Sequence, residues 1–232
     1  MSFVIGVELG QVSDVTAIAV VESLTLPFLR SEEIRERRWV SVRPVYQAPD
    51  GSETREHPPV NFALRHLERI PAGVSYPEIV SRVESLHSQL RKPAVILDAT
   101  GVGKAAVELF RHSNFNLSVF TLMAGDQMVR DGSNYRIPKR DVISSTQVLL
   151  QTGRLKIARS LPHAALLARE LVNFRFKVGQ ERSEDVLDWR EGPDDDLVLA
   201  LATAAWEAEC RPGLAFSYGY GVSEFGGRSR VF

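Results

Sequence analysis

Two short apolar runs open the chain: Phe3-Val4-Ile5-Gly6-Val7-Glu8-Leu9-Gly10, and Ala17 to Glu22 after the turn-like Gln11-Val12-Ser13-Asp14. β-Branched runs of this length, separated by turn residues, predict a β-hairpin. A third strand is expected near Arg38 to Tyr46, where Trp39, Val42 and Val45 stand among polar residues, and Gln47 to Pro59 reads as a loop of Pro, Gly, Ser and charge. Tyr76-Pro77 opens an amphipathic helix in which Ile79, Val80, Val83, Leu86 and Leu90 keep three-and-four spacing until Pro93. Ala94 to Asp98 is a continuous apolar run ending in an acid, the pattern of a strand buried on both faces. A helix over Gly101 to Arg111 and a strand over Leu117 to Met123 follow.

Polar, glycine-containing Gly125 to Ile137 reads as a surface loop, and Pro138-Lys139-Arg140-Asp141 introduces a helix carrying Val142, Ile143, Val148 and Leu149. Further helices are expected over Pro162 to Phe174 and, rich in alanine, over Asp195 to Glu209, with an exposed hairpin between Phe174 and Trp189. Residues 211–232 are rich in Gly, Ser and aromatics without a period, which predicts a flexible tail behind a single domain of residues 1–210. The order β-β-β-α-β-α-β implies an α/β fold. Its mixed sheet would begin antiparallel and continue parallel.

Composition narrows the function classes. With 44% hydrophobic residues over 232 positions, global disorder is excluded. A formal charge of -1 and a pI of about 6.5 supply no overall attraction to a polyanion, so nucleic acid would have to be met by a local basic patch. The lone Cys210 excludes an internal disulfide and points to a reducing compartment. The first 21 residues carry Glu8 and Asp14 and no basic opening, which argues against a signal peptide or membrane span and for the cytoplasm.

Three acidic positions stand out by where they fall: Glu8 near the end of the first strand, Asp98 at the end of the fourth, and Asp194-Asp195-Asp196 at the start of the last helix. In an open sheet the carboxyl ends of neighbouring parallel strands face one crevice. If the first and fourth strands are neighbours, Glu8 and Asp98 converge there. One aspartate at a helix start is explained by capping, but three in succession are not. Crowded carboxylates are relieved by a hard divalent cation, and an oxygen-only set without Cys or His selects Mg²⁺ or Mn²⁺ over zinc. Two such ions, about 3.5–4 Å apart, suit in-line hydrolysis of a phosphodiester.

In these residues the sequence resembles the nuclease domain of phage terminase large subunits, of the ribonuclease H-like (retroviral integrase and RuvC-like) superfamily. The resemblance is carried by Gly6 to Gln11 with Asp14 and Thr16-Ala17, by Leu97 to Gly103, by Ile137-Pro138-Lys139-Arg140, by Leu150 to Leu155, and by Asp195 to Ala202, in that order over residues 3–209. It implies a mixed sheet with helices on both faces, cleavage of double-stranded DNA during genome packaging, and metal ligation by Glu8, Asp98, Asp195 and Asp196. It also implies a packaging ATPase, portal or small terminase subunit as partners, and no membrane. The family usually has Asp on the first strand. Glu8 is one methylene longer, a departure that leaves room for a weakened or repurposed site.

Lys139, Arg140, Arg136 and Arg130 follow or precede a strand end that flanks the expected crevice, and are the candidates for DNA-phosphate contact. Asp98 to Ala105 looks superficially like a phosphate-binding loop, yet Asp98 stands where the first Gly belongs and Ala105 where the hydroxyl belongs. Trp206, with Leu199 and Ala202, falls at helical spacing and reads as core. Three other functions compete with the packaging nuclease: a RuvC-like junction resolvase, a DNA-binding or packaging module with a decayed site, and an actin-like or sugar-kinase ATPase. The last is disfavoured because no second copy of the opening motif is present.

Overall fold

In the computed structural model the described residues are 2–11, 14–24, 28–36, 39–47, 51–54, 60–125, 127–174 and 195–210, with the backbone alone over 28–36, 39–47 and at 54. The chain order is β1 (Ser2–Glu8), β2 (Thr16–Leu24), β3 (Phe28–Glu36), β4 (Trp39–Gln47), β5 (Glu53–Thr54), β6 (Asn61–Ile70), α1 (Tyr76–Gln89), β7 (Ala94–Asp98), α2 (Lys104–Arg111), β8 (Asn116–Met123), β9 (Val129–Asp131), β10 (Asn134–Pro138), α3 (Lys139–Gln151), β11 (Leu155–Ile157), α4 (Ala164–Asn173) and α5 (Asp196–Cys210). Eight strands form one mixed sheet in the order β11-β6-β2-β1-β7-β8-β10-β9, and β3-β4-β5 form a separate small sheet. The opening hairpin is antiparallel and β1, β7 and β8 then run parallel, as expected, with β10 parallel beside β8.

Alternation along the strands divides the core in two. In β1, Val4 belongs to one hydrophobic cluster and Ile5 and Val7 to the other; in β7, Ala94 and Ile96 belong to the first and Val95 and Leu97 to the second. The first cluster is closed by α3, α4 and α5, and the second by α1 and α2. Helices therefore cover both faces. Ser75 caps α1 in a reciprocal box with Glu78, which starts the helix one residue before Pro77.

Several sequence expectations are corrected. The strand at Trp39 to Gln47 lies in the small sheet, not the main one, and the third strand of the main sheet is β6. β6 breaks its own alternation. Val20 pairs with His66 and Val21 with Leu64, so Arg65 is an extra, bulged residue and the inward face switches from Phe62 and Leu64 to Leu67. Within Gly125 to Ile137 lies a hairpin, β9 and β10, in which Asp131 pairs with Asn134 across Gly132-Ser133, with Tyr135 and Ile137 buried. Gly132 has φ +61, the left-handed conformation such a tight turn needs. The expected loop at 47–59 contains the two-residue β5, and the helix expected from Gly101 begins at Lys104. The hairpin expected over 174–189, the tail 211–232 and Asp194 lie outside the described residues, apart from Phe174. Trp206 is core, edge-on to Phe120 at 5.5 Å. Among the described residues no helix is long and apolar enough to cross a membrane.

Candidate active site

Strand parity brings the acids together. Glu8 is two residues from Gly6 and four from Val4, so its side chain leaves β1 on the α5 face; Asp98 shares the parity of Ala94 and Ile96 and leaves β7 on the same face. The two residues are direct register partners on adjacent parallel strands, about 4.8 Å apart by ordinary strand spacing. The amino terminus of α5 reaches the same end of the sheet, because α5 lies directly on β1. A Cβ on Gly6 would stand 2.3 Å from the Ala200 carbonyl oxygen and 2.9 Å from Ala204 Cβ, so only glycine permits this approach.

Asp98 is 1% exposed. Its Oδ1 accepts hydrogen bonds from the Thr100 N–H, at 2.9 Å, and from the Thr100 hydroxyl. That hydroxyl in turn accepts from the Leu122 N–H at 2.9 Å on β8, which fixes its direction. Asp98 Oδ2 and Glu8 Oε2 are both shut off from solvent and take no hydrogen bond from any other group; the two carboxyls bond to each other, Glu8 donating its proton to Asp98. Buried acceptors of this kind cost free energy unless something supplies positive charge or protons. Burial first, and then the neighbouring charges of Asp98, Asp196 and Asp195, push the Glu8 carboxyl well above its ordinary range. Burial also raises Asp98, against the opposing pull of the hydrogen bonds from Thr100 and Glu8 and of the Lys139 ammonium.

The two aspartates of α5 are close enough to act on Glu8 electrostatically, but cations hold them. Lys139 Nζ lies 3.7 Å from Asp195 Oδ2, and an Arg69 amino group 3.9 Å from Asp196 Oδ2. Among the described residues no group of three or more His, Cys, Asp or Glu side chains is gathered tightly enough to hold one ion. The arrangement is a carboxylate pair with two further carboxylates beside it, each facing a basic side chain. Its donors are hard oxygens, and the paired carboxyls of Glu8 and Asp98, joined by a hydrogen bond that a cation would replace, fit a divalent ion.

The basic candidates separate. Lys139 follows β10 directly, so it arrives at the carboxyl ends of the parallel strands; its side chain is 15% exposed and its ammonium lies 5.6 Å from the Phe174 ring centre. It belongs to the acidic cluster more than to the surface. Arg140, on the next residue of α3, is exposed beside Asp141. Arg136 is exposed on β10 and Arg130 on β9, the latter over the Tyr135 ring and donating to Gly132 O. β10 is two strands from β7, roughly 10 Å by strand spacing. Sequence reasoning gave no role to Thr100, Arg69 or Glu170. Thr100 had a readable signal, a hydroxyl two residues after a strand-end acid, whereas Arg69 was hidden with the rest of β6 by the bulge.

The sequence matches no protein-family model and no curated protein. The structure is similar to the large terminase nuclease from thermophilic phage G20c, with a TM-score of 0.51 and 19% identity, covering 88% of this chain and 80% of that one. Against the same nuclease with bound magnesium the TM-score is 0.51 at 20% identity, and with bound cobalt 0.52 at 20%, each covering 88% and 80% of the two chains. With its eight-stranded mixed sheet, helices on both faces and antiparallel opening hairpin, the chain has the ribonuclease H-like fold of the terminase large-subunit nuclease domains.

Proposed function

We propose that this protein is a metal-dependent endonuclease that hydrolyses the backbone of double-stranded DNA, as in viral genome packaging. The observation that carries the reading is the in-register pair of half-buried Glu8 and buried Asp98, two carboxyls that meet each other with no ion-pair partner of their own among the described residues, at the strand ends where α5 delivers Asp195 and Asp196. The magnesium- and cobalt-bound nuclease of phage G20c, similar in fold, supports a divalent cation here. Glu8 and Asp98 would be the central ligands, with Asp195 and Asp196 completing the shell for Mg²⁺ or Mn²⁺. When bound, a pair of such ions supplies Lewis acidity that activates water and stabilises charge on the scissile phosphate.

The chain's own residues do the rest. Thr100 fixes the Asp98 carboxylate so that Oδ2 faces Glu8. Lys139 and Arg69 balance the charge of Asp195 and Asp196. Arg130, Arg136 and Arg140 hold DNA phosphates along the β9–β10 edge, a contact that positions the duplex without reading its sequence. A packaging motor or portal is the partner class this reading implies.

The test is nicking of supercoiled plasmid in Mn²⁺. Conversion to open-circular or linear DNA is expected, and Asp98→Ala is expected to lower the rate at least about a hundredfold while the circular dichroism spectrum is retained. Full cleavage by Asp98→Ala defeats the reading. A second reading, a DNA-binding module without cleavage, is favoured by the ion pairs that Asp195 and Asp196 already make with Lys139 and Arg69. DNA binding without nicking at any Mn²⁺ concentration would establish it.

A further inference from the structure

The first amides of a helix have no carbonyl within it to bond, and the side chain just before the helix ordinarily accepts from one of them. In α5 the buried Val198 N–H is such a donor, and its acceptor comes from a different helix: Glu170 Oε2 on α4, at 3.2 Å. Glu170 is 4% exposed, which is unusual for a glutamate unless it is held in place. The positive end of the helix dipole favours a carboxylate there. Asp195 meanwhile contributes its carbonyl to Leu199 N–H at 3.0 Å and directs Oδ2 toward Lys139. Because Glu170 takes the Val198 amide, that amide makes no claim on the Asp195 carboxylate.

We infer that Glu170 is a positioning residue for the acidic site: it fixes the first turn of α5, and so aims Asp195 and Asp196 at Glu8 and Asp98, without itself touching metal or DNA. The inference rests on the metal-dependent reading above. It connects α4, whose sequence carries no site residue, to the affinity of the site for its ion. Residues behind metal ligands commonly change affinity ten- to a hundredfold when removed.

The test uses the full chain with Mn²⁺ alone as the probe, binding being read from loss of the free-ion paramagnetic resonance signal and amide exchange being followed at Val198. Glu170→Met removes the acceptor at similar volume, and Glu170→Gln keeps an oxygen for the amide. In Glu170→Met the Val198 N–H is expected to exchange at least about tenfold faster and half-saturating Mn²⁺ to rise about ten- to a hundredfold, while Glu170→Gln stays within about twofold of the parent in both. A folded Glu170→Met chain with unchanged Mn²⁺ half-saturation overturns the inference. So does a parent chain whose Val198 amide exchanges like an exposed one, a measurement that needs no variant. A parent chain that binds no Mn²⁺ while its Val198 amide is protected is a distinct result: it defeats the metal-dependent reading, and the inference falls with it.

Discussion

Asp98 is buried, and of its two oxygens only Oδ1 is satisfied from outside the carboxyl pair it forms with Glu8. The satisfied one depends on Thr100, whose hydroxyl bridges the carboxylate and the Leu122 amide. Thr100→Val keeps the shape and deletes that bridge, leaving a buried amide without its acceptor at a cost of about 1–3 kcal/mol. The expected outcome is a lower melting temperature and a ten- to hundredfold loss of Mn²⁺-dependent nicking, with Thr100→Ser close to the parent in both. Equal nicking by the valine and serine variants would show that Asp98 needs no such hold. The acids themselves were legible because strand-end and helix-start carboxylates have few structural explanations. The Lys139 and Arg69 partnerships were not, since they arise from elements distant in sequence that meet only in the fold.

The element that most constrains the site is α5, and Gly6 is where it is seated. A methyl group on Gly6 meets the Ala200 carbonyl, a backbone atom that cannot rotate away, so the helix has to move. Gly6→Ala is expected to destabilise the fold by about 1–3 kcal/mol, as overpacking does, and to weaken Mn²⁺ binding because Asp195 and Asp196 move with the helix. Calorimetric melting and Mn²⁺ titration together check this; an unchanged melting temperature would mean that α5 does not bear on β1. How far each element was legible follows from its periodicity. β1, β2, β7, α1 and α5 show unbroken patterns, and each was placed to within a few residues. β6 was invisible because the bulge at Arg65 resets its alternation halfway. The β9–β10 hairpin did carry a usable signal, Gly132-Ser133 before alternating Tyr135 and Ile137, hidden by the polar residues around it.

For the molecule as a whole, pH acts on two groups of acids with opposite sign. Burial and the acids around it raise Glu8 above its ordinary 4.5, so the folded chain holds that proton more tightly than the unfolded one. Stability from this source is full below pH 4.5 and is lost as pH rises toward the folded value. For Glu68, burial is outweighed by hydrogen bonds from Arg82 and His66; for exposed Glu78, the hydrogen bonds of the Ser75 cap outweigh a smaller desolvation. Both carboxyls are lowered, so their contribution is present above 4.5 and lost as pH falls through their folded values. In chelator, the melting temperature is therefore expected to decline from mildly acidic to neutral pH as well as on strong acidification. Mn²⁺ at about 100 times its dissociation constant at pH 7.5 should restore about 2.7 kcal/mol, or roughly 5–11 °C for a chain of this size, and the same Mn²⁺ concentration should restore less at pH 5.5, where protons compete for the carboxylates. A melting curve indifferent to Mn²⁺ at both pH values would speak against a cation at Glu8.

Leu24 and Asn61 are register partners, at the opposite end of the β2–β6 ladder from the Thr16–Ile70 pair that lies toward Glu8. The polypeptide thus leaves and re-enters the main sheet at a single doorway; among the described residues of the detour between, β3, β4 and β5 pair only with one another, and Val60 is tied to the main body, its carbonyl accepting from Arg154 at 2.8 Å. Replacing residues 25–60 with an Asn-Gly turn is expected to yield a shorter chain that still melts cooperatively and still cuts plasmid. If the shortened chain folds but no longer grips DNA, the detour is the part of the protein that chooses the substrate.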